Sequence, residues 1–89
     1  EDAKVPVANR MAGDGEGMQI ALGVLDGGRI GISAQAVGVG EAALAEGVRF
    51  AQDRKAFGQP IAGFQALQWM TADTATELEA AWLLTLRAA

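Results

Sequence analysis

Cysteine and histidine are both missing from this 89-residue chain. The first absence excludes a disulfide framework and a thiolate metal site. The second removes the usual general base and the commonest metal ligand, so no metal centre is expected. Tyrosine is absent too, prolines number two and aromatics make up 6%. Any core must therefore be aliphatic, and much of the 51% hydrophobic content is alanine, which contributes little buried area per residue. One small domain is the most this length allows. The chain is expected to depend on contacts outside itself.

Basic residues are also in short supply. Seven Lys and Arg stand against eleven Asp and Glu, a formal charge of −4, and phosphate binding normally shows a basic patch, so nucleic acid is not the expected partner. No basic segment followed by an apolar run opens the sequence, so no signal peptide is expected. The most apolar window, residues 30–48, contains Gln35, Glu41, Glu46 and several glycines. That is no membrane span, and the expected address is cytoplasmic.

Along the chain, residues 1–17 contain Pro6 and a turn-like "AGDGEG", and residues 1–16 predict an extended arm without a face to bury. From residue 17 the pattern becomes helical. Met18, Leu22, Leu25, Ile32 and Val39 fall on one heptad-like line. Ile30, Val37, Leu44 and Ala51 form a second, with Ala34 and Val48 beside it. Two apolar lines predict burial on more than one side. Seven glycines lie between Gly23 and Gly47. At roughly 1 kcal/mol each they disfavour an isolated helix by about 5–7 kcal/mol. A long helix bent near Gly27-Gly28, with small residues that admit a close neighbour, reconciles the two signals.

Gly58 and Pro60 end that helix, and Arg49, Arg54 and Lys55 cluster where cations complement its dipole. A second periodic run follows through Phe64, Gln68, Thr71, Ala75, Leu78 and Trp82, widened by Leu67, Met70, Thr74, Ala81 and Leu84. It reaches the last residue in mid-pattern, as expected of a piece of a longer chain. The predicted fold is all-α: two long antiparallel helices over about 17–54 and 62–88, joined by a turn at 55–61. Such a hairpin is half of an up-and-down four-helix bundle and is expected to self-associate.

Three stretches could carry chemistry. "GVGEAA" at 38–43 matches a dinucleotide-binding GxGxxA, but that motif works between a strand and a helix; here close helix packing explains it better. Asp26 and Arg29 sit three apart on one helical face, and read equally well as a surface ion pair or as polar contacts to a ligand along the helix. The third is "DRKAFGQPIAGFQ" at 53–65. A guanidinium at Arg54 suits pyrophosphate oxygens, Phe57 offers a face to a ring, and Gln65 suits a heterocycle edge. Helix capping alone also accounts for this elbow.

The run "LDGGRIGISAQAVGVGEAALAEGVRFAQDRKAFGQPIAGFQALQWMTADTATELEAAWLLTLRAA" resembles the first part of the C-terminal helical domain of acyl-CoA dehydrogenases. "VPVANRMAGDGEGMQIAL" looks like the exit from that family's middle β-domain. LDxGR, RxxFGxPIxxFQ and the following AD are its most specific pieces. The resemblance implies that residues 1–16 are a linker from the middle domain and residues 17–89 part of the helical domain. It implies an oxidoreductase that uses FAD to dehydrogenate acyl-CoA thioesters at the α,β positions and passes electrons to an electron-transfer flavoprotein, as a homo-dimer or homo-tetramer.

By position, Arg54, Phe57 and Gln65 correspond to contacts with a neighbouring subunit's FAD. Asp26 and Arg29 correspond to acyl-CoA contacts, with Met18, Leu22 and Leu25 along the acyl or pantetheine channel. Phe64 departs from members with histidine there. The family's α-proton base is not matched: Gly28 stands where a subset carries a glutamate, and most members carry it beyond the region represented here. The chain alone is thus expected to be inactive. A stand-alone helical oligomerisation or acyl-CoA binding module is the alternative.

Overall fold

Heptad spacing of small and branched apolar residues dictates the main contact of the molecule. In the computed structural model, which describes residues 2–89, α1 runs unbroken over Gly17–Asp53 and α2 over Gln65–Ala88. Ala34, Val37, Gly40, Leu44, Val48 and Ala51 of α1 turn inward, and Leu67, Thr71, Leu78, Ala81 and Thr85 of α2, with Phe64 just before it, meet them. Both sets step by three, four or seven, so each helix presents one stripe. The second line read in the sequence is this seam.

The first line is not buried. Met18, Leu22, Leu25, Ile32 and Val39 are all exposed, because α2 is 24 residues long against 37 for α1 and covers one side of it only. The seam of α2 is also turned from the expected one: Gln68, Ala75 and Trp82 lie outside it and Thr85 lies inside. Thr85 tolerates that position, at 8% exposure, because its hydroxyl donates to the Ala81 carbonyl at 2.9 Å. Among the described residues Val37, at 7% exposure, is the one buried apolar side chain.

Three boundaries shift from expectation. Pro60 sets an extended backbone before Ile61, so residues Ile61–Gly63 form a single 3-10 turn and α2 starts at Gln65 instead of near 62. The turn at 55–61 contains a two-strand antiparallel ribbon, β1 (Lys55–Ala56) against β2 (Gln59–Pro60), so the fold is a helical hairpin with a small β-tip. The arm is less extended than expected, with a 3-10 turn at Val7–Asn9 and a turn near Asp14-Gly15; Glu1 lies outside the described residues. Helix α1 is continuous through Gly27-Gly28. The cations expected in its last turn are placed otherwise: Arg54 caps the helix and Arg49 pairs with Glu46.

The principal extents are 73 × 31 × 14 Å and the radius of gyration is 22.9 Å. A compact chain of this length would have a radius near 12 Å. Its accessible surface is 7440 Å², against roughly 4,900 Å² for a compact monomer. The hairpin is one helix thick and leaves most of both helices uncovered. Among the described residues no helix is long and apolar enough to cross a membrane.

The glycines divide accordingly. A Cβ added at Gly40 would come within 2.6 Å of Leu78 Cδ2, whereas Gly38 has open space around it. Gly40 admits the Leu78 side chain into the seam, which accounts for half of the "GxG". Gly38→Ala should therefore stabilise the chain by about 1 kcal/mol through helix propensity, a rise of roughly 4–8 °C in Tm. Gly40→Val should destabilise it by about 1–3 kcal/mol through overpacking. Thermal melts followed by circular dichroism check both signs.

Candidate functional site

The elbow is built from the end of α1. Arg54 leaves the helix in extended conformation while its N–H still donates to the Phe50 carbonyl at 2.8 Å. Its carbonyl accepts from the Ile61 N–H, also at 2.8 Å, which closes the base of the ribbon. Lys55 then pairs with Pro60 and Ala56 with Gln59. A two-residue loop remains, Phe57-Gly58, with φ of +51° and +81°. Both central residues of a type I′ hairpin turn need positive φ, and glycine supplies one of them freely. Phenylalanine supplies the other at a cost on the order of 1–2 kcal/mol.

That conformation throws the Phe57 ring into solvent, where it is 96% exposed. Its neighbour is Phe64, edge-on at 6.1 Å between centroids and 89° between planes. Arg54, just before the ribbon, and Gln65, the first residue of α2, are both exposed, and neither side chain is engaged in an ion pair or hydrogen bond among the described residues. The structure thus brings Arg54, Phe57 and Gln65 to one end of the hairpin. A free guanidinium beside an outward-facing ring and an amide is a donor set for an anionic ligand with a flat ring system.

Asp26 and Arg29 lie elsewhere. They form an exposed ion pair, Arg29 Nη1 to Asp26 Oδ1 at 3.2 Å, in the part of α1 that α2 does not reach. Met18, Leu22, Leu25 and Arg29 follow one another at steps of four, three and four, a single stripe on the same helix. An apolar stripe ending in a charged pair suits a ligand with a long apolar or amphipathic chain and a polar head. At 1.5 Å per residue, Asp26 and Arg54 are about 42 Å apart. The two clusters cannot serve one ligand from one chain.

Sequence reasoning missed two features. One is the left-handed backbone of Phe57: the Phe-Gly pair hides a turn that Asn-Gly would have announced. The other is Gln68, read as part of the core face, whose Nε2 instead donates to the Ala62 carbonyl at 3.0 Å and ties the 3-10 turn to α2. Among the described residues no three Asp or Glu are grouped to hold a metal ion.

Known proteins resemble this chain in sequence and fold. The family model described as acyl-CoA dehydrogenase, C-terminal domain, matches residues 15–89. The caffeyl-CoA reductase-Etf complex subunit CarC of Acetobacterium woodii is 48% identical over the whole chain, which spans 24% of that protein. The short-chain specific acyl-CoA dehydrogenase of Megasphaera elsdenii is 45% identical, again over the whole chain and 23% of its own length. The solved structure of butyryl-CoA dehydrogenase from Megasphaera elsdenii superposes with a TM-score of 0.94 at 44% identity, over 98% of this chain and 23% of that one. The chain therefore spans about a quarter of the length of the relatives it matches. On the match over residues 15–89, this chain belongs to the acyl-CoA dehydrogenase family and represents part of its C-terminal domain.

Proposed function

We propose that this chain is the part of a flavin-dependent acyl-CoA dehydrogenase that joins subunits and contributes to two ligand sites, FAD at the elbow and acyl-CoA along the start of α1. The observation that carries the reading is the elbow: an unpaired Arg54 guanidinium beside a Phe57 ring held outward on a left-handed backbone. Unfavourable backbone geometry at an exposed aromatic points to a ligand contact. FAD fits this donor set, with Arg54 at the pyrophosphate, Phe57 against a ring face and Gln65 at a heterocycle edge. When bound, the flavin supplies the hydride-accepting chemistry.

The chain's own residues bind and orient. The roughly 42 Å between clusters supports an assembly in which the elbow of one subunit completes the site whose acyl-CoA stripe belongs to another. Asp26 and Arg29 would hold the polar part of the thioester ligand while Met18, Leu22 and Leu25 shield its chain from water. No residue here is assigned to take the α-proton. The Etf complex in the name of the Acetobacterium relative supports an electron-transfer flavoprotein as redox partner. The reductase in that same name favours a second reading, the same transfer run in the direction of enoyl-CoA reduction.

The test uses the full-length protein. It should purify with a flavin spectrum that bleaches on addition of an acyl-CoA. Asp26→Ala combined with Arg29→Ala should raise the acyl-CoA concentration needed by roughly tenfold or more, the loss of a hydrogen bond to a charged group. Flavin content should stay unchanged, since Arg54, Phe57 and Gln65, the residues assigned to FAD, are left intact. Colourless protein, or flavin lost with the Asp26/Arg29 pair, overturns the assignment.

A further inference from the structure

Nothing in the ribbon itself holds the Phe57 ring in place. At 96% exposure it gains nothing from burial, and its φ of +51° belongs to a position where Asn, Asp or Gly is preferred. What it has is Phe64, whose ring meets it edge-on, the favoured geometry for two aromatic quadrupoles.

Phe64 is anchored where Phe57 is not. It is half-buried at the junction of the 3-10 turn and α2. Its N–H donates to the Ile61 carbonyl at 3.1 Å, and its own carbonyl accepts from the N–H groups of Leu67 at 3.0 Å and Gln68 at 3.2 Å. Three backbone bonds fix one post at the turn end of the hairpin, and Gln65 is the next residue along.

We infer that Phe64 is a positioning residue: it acts as the fixed edge against which the Phe57 ring is set before ligand arrives, so that the cofactor does not have to order that ring. This rests on the reading of the elbow as an FAD contact. An unanchored side chain would be immobilised on binding, and the entropy of doing so corresponds to about 2- to 12-fold in affinity.

A double-mutant cycle in the full-length protein tests it, read as FAD release on dilution (recovery of flavin fluorescence) together with the Tm of the flavin-free protein. Phe64→Leu keeps an apolar side chain of similar reach and should speed FAD loss by about 2- to 12-fold. Phe64→Tyr keeps the ring and should match the parent. In a Phe57→Ala background, Phe64→Leu should add nothing, because its effect runs through the Phe57 ring. Phe57→Asn should raise the Tm of the flavin-free protein, as Asn suits the turn, while loosening FAD as much as Phe57→Ala does.

The outcomes separate cleanly. Equal effects of Phe64→Leu in both backgrounds overturn the positioning role and leave Phe64 a packing residue. FAD retention that falls with Phe57→Ala but not with Phe64→Leu does the same. Unchanged retention in Phe57→Ala sinks the FAD assignment of the elbow itself. A lower Tm for Phe57→Asn removes the argument that the turn is held against its own preference.

Discussion

Replacing Arg54 with alanine in the full-length protein is expected to weaken FAD retention by roughly 10- to 150-fold. The estimate is the loss of one hydrogen-bonded contact to a charged group, about 1.5–3 kcal/mol, at about 1.4 kcal/mol per factor of ten. The structure makes the change clean. Arg54 forms no ion pair among the described residues, so alanine leaves no carboxylate unpartnered. The structural duties of residue 54 are carried by its backbone, through bonds to Phe50 and Ile61. Arg54→Lys should recover only part of the loss, since an ammonium cannot present the planar fork of a guanidinium. Dilution-driven loss of flavin, compared across the three proteins, measures it. Equal retention in all three would leave the elbow a capped helix end with a β-tip.

That the backbone rather than the cation secures residue 54 is also where sequence reading ran short. Periodicity identified the hairpin and one seam, because Ile30, Val37, Leu44 and Ala51 recur every seven residues and a helix must turn such a line one way. It did not say which of two apolar lines faces the partner helix. Met18, Leu22, Leu25, Ile32 and Val39 look equally core-like, and they stay open because α2 covers one side of α1 and stops short of its start. The elbow residues were singled out through family likeness, while the geometry of their turn was not legible. A strand pair two residues long lies below any periodicity, and the φ of Phe57 contradicts local preference.

The two apolar lines of α1 give the second large effect, since one substitution type should act oppositely on them. Val37→Asp places a carboxylate at 7% exposure between the helices, level with the Ala81–Thr85 turn of α2. No cation lines that place, and an uncompensated buried charge costs about 3–5 kcal/mol. A hairpin with so thin a seam has little stability to lose, so helical signal should collapse. Val39→Asp, two residues on, falls at 65% exposure and should change the fold of a single chain by no more than about 0.5 kcal/mol. Its effect should appear in assembly. The accessible surface exceeds that of a compact monomer by roughly 2,500 Å², and a stable interface needs about 800 Å² per partner. Two copies packed through the Ile32 and Val39 end of that line would bury part of this excess and place Val39 between them. At tens of micromolar, the parent chain should therefore sediment as a dimer or larger, and Val39→Asp as a helical monomer. A Val37→Asp chain that remains helical would show that the seam does not hold the hairpin together. A Val39→Asp chain that still dimerises would move the contact to the outer face of α2, where Trp69, Met70 and Leu83 stand exposed.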